Sequence, residues 1–405
     1  MTYNFFRYKH EILFIIFLLS GLWKVILSYY KIHLPIDLTL FAAILMTIGI
    51  YQHIIKETKI FFSNKYLKIA FFSLVILFIW ILFSVYYSSS NSYIYQKILR
   101  YLTIIISFLY PIIMMRSFSI KAFYKLFVFF TLITGIIFLP IFLVSYEQYM
   151  TTHIANGVYM AYLTMGYTTA IAIIIAIFNI NKMYIKFLVI ASLLLILITT
   201  GARGPLIFLV ILFVIYFIYK YIIFAKINKN IFKYFIVILI VVSSLLVVIP
   251  SVPKVNTYIA DTIDRTYDRL SALTDVKGDE SANSRLVFID FVIEKLDASS
   301  IMQGYGFGSF GIEHLHKDIR HYPHNIFLEL LFELGVIGLF IFIIFIFSII
   351  FKLFQLNKPF EWILFTFLIL NSLKSLSLVD SRVMFGLFVI ILLTNYQKEK
   401  ELYVK

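Results

Sequence analysis

The run His321-Tyr-Pro-His-Asn-Ile-Phe-Leu-Glu-Leu-Leu-Phe-Glu-Leu-Gly335-Val-Ile-Gly338 ends the one long polar stretch of this chain and starts an apolar helix. A histidine therefore stands where a water-exposed loop re-enters apolar surroundings. The loop before it, roughly Ser251 to Pro323, holds most of the chain's aqueous charge. Outside that loop, apolar runs of about 18 or more residues recur from end to end, each long enough to cross a ~30 Å hydrocarbon core. The chain is 62% hydrophobic and 14% charged, with a mean hydropathy of +0.95. Soluble domains sit near roughly 45–50% apolar and 25% charged. The pattern predicts an all-α polytopic membrane protein. Its first run, Ile12 to Tyr30, is too long for a secretory signal and lacks a small-residue cleavage site, so it reads as a retained span.

About twelve spans are expected, at 12–30, 36–55, 67–87, 98–115, 121–145, 157–179, 184–200, 204–224, 232–250, 325–352, 360–377 and 382–396. The chain then divides into helices over 1–250, an outer loop over 251–324, and helices with a C-terminal tail over 325–405. Turns on the N-terminal side carry twenty lysines and arginines, against six (Lys31, Lys97, Arg100, Arg203, Lys374 and Arg382) on the other. That asymmetry predicts cytoplasmic termini and an outside location for the long loop. The net charge of +14 is thus mainly a topology signal. No basic patch lies on a soluble face, so nucleic acid is not an expected partner. With no cysteine, disulfides, thiolate metal sites and a cysteine nucleophile are excluded.

The loop has internal order. Pro250 and Pro253 end the ninth span. Residues 255–273 mix acids and bases, among them Asp261, Asp264, Arg265, Asp268 and Arg269, with apolar residues at helix-like intervals. A turn at Lys277-Gly-Asp-Glu leads to a second helix, for which Ser284 is the expected N-cap. Leu286, Ile289, Val292, Ile293 and Leu296 are expected to form its buried face. Gly304-Tyr-Gly-Phe-Gly-Ser-Phe-Gly311 follows as a tight, irregular loop. Together these segments predict a small helical cap over the membrane face.

Arg203, in Thr199-Thr-Gly-Ala-Arg-Gly-Pro205, lies in a turn so short that it must sit at or just inside the outer boundary. A charge at the helix centre costs ~2.5–3.5 kcal/mol on insertion scales, and less near an end, so such a residue usually faces a cavity or counter-charge. The competing reading is an interfacial arginine snorkelling to lipid phosphate; the flanking glycines and Pro205 argue for a built turn. Arg285, expected in the first turn of the cap helix, opposes the helix dipole, which suits an anionic partner. The alternative is a surface salt bridge to Asp290 or Glu294. After His324, residues Asn325, Glu329 and Glu333 recur at i, i+4 and i+8, one stripe of the tenth span. Glu333 falls below the surface and is expected to be protonated or paired, an arginine across the bundle being the expected partner.

Thr200-Gly-Ala-Arg203-Gly, Ser284-Arg285-Leu286, and His324-Asn325 followed by Gly335-x-x-Gly338 resemble, in that order, the O-antigen ligase and polymerase family of bacterial envelopes. The likeness covers essentially the whole chain, including the long loop between the ninth and tenth spans. Some ligases carry a Thr-Thr pair after the second glycine; here Leu339-Phe340 stand instead. The resemblance implies a GT-C-like fold in the bacterial inner membrane. It also implies metal-independent glycosyl transfer at the periplasmic face, from an undecaprenyl-diphosphate-linked glycan to a sugar hydroxyl of lipid A-core. No cofactor is implied. Two guanidinium groups, Arg203 and Arg285, can clamp the leaving diphosphate bidentately. His324 is the candidate base for the acceptor hydroxyl, kept neutral by the nearby arginines. Direct displacement would invert the anomeric carbon. Asn325 and Glu329 are candidates for orienting sugar or histidine.

The residues themselves give no metal centre. The first outer loop is short, with only Asp37 nearby, and Glu313, His314 and His316 lack a clear fourth ligand. A polymerase joining lipid-linked repeats needs the same clamp and base, so it stands as the alternative. The absence of an arginine from the outer loop Ser145 to Asn156 favours the ligase. A non-catalytic flippase of lipid-linked oligosaccharides predicts charges spread through both halves and an internal repeat; neither is evident.

Overall fold

A computed structural model describes the backbone of residues 5–56, 64–152, 156–224, 280–298 and 300–395, and side chains within these except 5–6, 142–160 and 221–282. The expected ninth span, Pro250, Pro253, the segment 255–273 and most of the Lys277 turn lie outside the described residues.

The regular secondary structure of the described residues is all helical. In chain order the helices are α1 (Lys9–Tyr29), α2 (Leu38–Lys56), α3 (Lys65–Ser84), α4 (Tyr93–Ile113), α5 (Ile120–Thr152), α6 (Asn156–Asn179), α7 (Met183–Thr199) and α8 (Arg203–Phe224). Two cap helices follow, α9 (Glu280–Lys295) and α10 (Phe310–Leu315), and then α11 (Ile326–Leu356), α12 (Pro359–Lys374) and α13 (Arg382–Leu393). Each of the eleven expected spans outside the ninth coincides with one of these helices. Eight described helices are long and apolar enough to cross a membrane, and α7 and α13 are shorter apolar helices. The chain is a multi-pass membrane protein. From Val383 to Leu393 every residue of α13 is buried, as expected of a helix that is apolar on all sides. Around it pack α1, α3, α4, α11 and α12.

The fourth helix starts at Tyr93 rather than 98, because a carboxylate from the cap satisfies its first turn. Asp318 accepts hydrogen bonds from Ser90 Oγ (2.7 Å), Ser92 Oγ (2.8 Å) and the backbone N–H groups of Asn91 (3.0 Å) and Ser92 (2.6 Å). Burial alone would raise this carboxyl, but the hydrogen bonds outweigh it and pull the pKa down to about 2. A depressed folded-state pKa adds stability above the ordinary carboxylate range that is lost as pH falls toward about 2. Asp318→Asn should therefore cost ~0.5–2 kcal/mol at neutral pH, the range for a lost N-terminal cap. Comparing variant and wild-type melting at pH 7 and pH 3 checks this: the gap should narrow at the lower pH.

The larger surprise is in α11. The helix breaks at Gly335 (φ 67°, ψ −170°), and the glycine-rich loop of the cap runs into the break. Tyr305 N–H donates to the Phe332 carbonyl (2.9 Å) and Gly306 N–H to the Glu333 carbonyl (2.9 Å). In return Val336 N–H donates to Ile301 O (2.9 Å) and Ile337 N–H to Met302 O (3.3 Å). Trp80 Nε1 donates to the Leu334 carbonyl at 3.0 Å. Backbone groups that the break would leave unpaired in an apolar setting are thus satisfied from outside the helix. The loop is more than a lid: part of it completes a transmembrane helix.

Candidate active site

Four loop regions lie with His324 at one end of the helix bundle. They are the α3–α4 turn, the α7–α8 turn, the cap, and the α12–α13 segment. His324 sits just before α11 with φ 56°, in the left-handed region that a non-glycine residue enters only at some cost. Asn325 behind it is the N-cap of α11, its Oδ1 accepting from Phe327 N–H (3.0 Å) and Leu328 N–H (3.2 Å). The oxygen of this side chain is engaged in capping, so the structure gives Asn325 a local structural role at the helix start.

The His324 imidazole stacks on Phe288 of α9 (6.1 Å between centroids, 27° between planes) and lies 4.5 Å from the Tyr322 ring. Burial and then the Arg285 guanidinium hold its pKa below the usual 6.5, while a hydrogen bond to the Ser375 backbone and the Glu329 carboxylate work the other way. Neighbouring His321 is driven down to about 4 by burial and by His314 and His324. Tyr322 is pushed up to about 12 by burial and then by Asp380. The site thus favours an uncharged imidazole beside a cation.

Arg285 is half-buried on α9, but its position differs from expectation. The helix already begins at Glu280, so Ser284 is not the N-cap and Arg285 stands beyond the first turn. The buried face is also displaced. Phe288 and Val292 are buried, with Phe291 and Leu296 packed beside them, whereas Leu286, Ile289 and Ile293 are exposed. Aromatic residues won the core because Phe310, Phe332 and His314 offer them ring partners at 4.8–5.8 Å.

Arg203 is the first residue of α8, half-buried in the α7–α8 turn. A Cβ on the next residue, Gly204, would stand 2.9 Å from Lys374 Nζ, so glycine there makes room for the lysine. The ammonium lies 5.4 Å from the centre of the Phe208 ring on the same helix. Lys374 ends α12, and Ser375 beside it holds the His324 imidazole. The turn carrying Arg203 therefore lies against the end of α12, one residue before Ser375.

Three cationic features escaped the sequence reading. Lys374 is one. Arg320, whose Nη2 lies 2.5 Å from Asp380 Oδ2, is the second, and Arg100 approaches the same carboxylate at 3.5 Å. The third is Lys97, expected to lie in an outer turn but fully buried inside α4. Its ammonium stands 2.6 Å from Glu329 and 2.5 Å from Glu333. Glu333 is thus paired as expected, but with a lysine in place of the arginine. The available signal was the apolar setting of Lys97 in Tyr93-Ile-Tyr-Gln-Lys97-Ile-Leu, which fits a helix starting earlier.

Among the described residues, no group of three or more histidines, aspartates and glutamates is placed to hold a metal ion. Glu313 instead pairs with Lys295 at 3.2 Å, and His314 packs among the aromatic rings.

No curated protein matches the chain. Residues 187–343, which run from α7 through the cap to the broken half of α11 and include Arg203, Arg285 and His324, match the family model described as O-antigen ligase, a match that supports the likeness to the O-antigen ligase and polymerase family.

Proposed function

We propose that this glycosyltransferase of the ligase and polymerase type moves a glycan from undecaprenyl diphosphate to a sugar hydroxyl of lipid A-core. The reaction would occur at the periplasmic face of the bacterial inner membrane, with both termini cytoplasmic. The carrying observation is the half-buried imidazole of His324, held uncharged by burial and by Arg285. A neutral imidazole can take the proton of the attacking hydroxyl as the new glycosidic bond forms. The diphosphate leaves with the bonding pair, and guanidinium groups stabilise its developing charge. Arg203 and Arg285 are assigned to that anion, and direct displacement inverts the anomeric carbon. No step requires a metal ion.

Two results are expected of a purified protein reconstituted with lipid-linked donor. First, Arg203→Lys and Arg285→Lys should each lower kcat/KM by at least about tenfold, because lysine keeps the charge and loses the planar fork. Wild-type kcat/KM in both would remove the clamp. Second, an imidazole pKa lowered from the usual 6.5 puts the acid limb of kcat/KM below that value. An acid limb above pH 6.5 would contradict the site's electrostatics.

The polymerase reading differs in the acceptor, a second lipid-linked repeat. Deletion separates them: a lost ligase leaves lipid-linked polymer and bare core, and a lost polymerase leaves core bearing a single repeat.

A further inference from the structure

The cluster of Lys97, Glu329 and Glu333 lies beneath the site and takes no part in the transfer chemistry above. Burying three charges gives little net stability over well-packed apolar residues of similar volume. Its value must therefore be sought in what it connects.

Both oxygens of Glu329 are engaged: Oε1 with Lys97 Nζ (2.6 Å) and Ser377 Oγ (2.9 Å), Oε2 with Leu378 N–H (2.9 Å). Those last two donors belong to the α12–α13 segment, and Glu329 itself stands in the first turn of α11, its N–H bonded to the carbonyl of Asn325, the residue after His324 (2.9 Å). Glu333 Oε2 accepts from Lys97 Nζ (2.5 Å) and from Gly308 N–H (3.0 Å) in the loop that fills the helix break. The third side of the ammonium faces the Phe307 ring at 4.6 Å. One cation on α4 thus ties together the α12–α13 segment, the broken helix and the inserted loop. The broken helix starts two residues after His324, and the other two are hydrogen-bonded to it.

We infer that Lys97 is a positioning residue for the proposed base: through Glu329 and Glu333 it fixes the α12–α13 segment, the glycine loop and the first turn of α11, and so the orientation of His324. This rests on the reading of His324 as the base. Lys97 and the α12–α13 segment lie outside the residues that match the family model, so the device draws on parts of the chain beyond the matched domain.

Removing Lys97 alone leaves two buried carboxylates facing each other, and such a variant can fail simply by not folding. The informative variant is Lys97→Met/Glu329→Gln/Glu333→Gln, which removes the charges as a unit at similar volume. Three quantities are read in nanodiscs: melting temperature, amide hydrogen exchange over 301–309 and 375–381, and steady-state transfer from undecaprenyl-diphosphate glycan. The variant should melt near wild type while exchange over 375–381 speeds up at least tenfold. Its kcat should fall at least tenfold, with KM for the donor changed less than threefold. Wild-type kcat and wild-type exchange in a folded triple variant would overturn the proposal. Ser377→Ala cuts one of the two links from Glu329 to the segment, the Leu378 N–H bond remaining, and serves if the triple variant does not fold. It should lower kcat at unchanged KM, and a wild-type kcat there would overturn the proposal equally. If the wild-type protein transfers no glycan, the functional reading fails; the exchange comparison still decides whether the cluster holds the two segments.

Discussion

His324→Ala should abolish glycan transfer, lowering kcat by about 10²–10⁴-fold, the usual contribution of a positioned general base. Folding should survive, because the imidazole is half-buried and the helix start depends on Asn325, whose side chain caps two backbone N–H groups. Backbone conformation complicates alanine here. His324 has a φ of 56°, and alanine tolerates the left-handed region less well than histidine. His324→Asn is the cleaner partner, since asparagine accepts that backbone and supplies no comparable base. Equal inactivity of both variants, with near-wild-type melting of the asparagine form, assigns the loss to chemistry. Wild-type turnover in either would remove the base. Measuring membrane level, melting and transfer on the same preparations makes the distinction.

Gly335→Ala should be the most destabilising small substitution at the helix break. Its φ of 67° strains any residue with a Cβ, and that Cβ would stand 2.2 Å from the Met302 carbonyl oxygen. The obstruction is backbone and cannot move cheaply. The Met302 carbonyl accepts from Ile337 N–H, and the neighbouring Ile301 carbonyl from Val336 N–H. Pushing the loop away would leave these donors, and the Phe332 and Glu333 carbonyls, unpaired in an apolar setting. We expect a loss of more than about 4 kcal/mol, read as absence of folded protein in the membrane fraction. Gly49→Ala, in α2, is the internal control. Its nearest obstacle is the end of the Met114 side chain at 3.5 Å, an ordinary contact, and no positive φ is involved. If Gly335→Ala melts like wild type, the loop is not part of the helix.

Much of the architecture was legible because apolar run length and loop charge are local properties. Eleven expected spans have a described helix, and the α7–α8 turn, α9 and the start of α11 gather at one end of the bundle. What escaped was long-range. Lys97 looked like an outer-turn residue because nothing nearby in sequence announces Glu329 and Glu333, more than 200 positions away. Asp318 likewise moved the start of α4 by capping it from the cap loop. The glycine run was recognisable as irregular, yet its destination in α11 depends on backbone donors and acceptors that carry no side-chain signature. On α9, hydrophobic periodicity selected the aliphatic face, whereas the ring cluster around Phe310 drew in Phe288 and Phe291.

Glu329, expected to orient sugar or histidine, is itself held by Lys97 and by Ser377 and Leu378 of the α12–α13 segment. Arg100, Arg320 and Asp380 form a second charged link between α4, the cap and that segment.

The most direct test is a density map of the protein in nanodiscs with undecaprenyl diphosphate bound. The account predicts the two phosphates between the guanidinium groups of Arg203 and Arg285, with the His324 imidazole turned toward the side from which an acceptor sugar would enter. A diphosphate bound at the opposite end of the helices, or in a separate cavity out of reach of these three side chains, would contradict it.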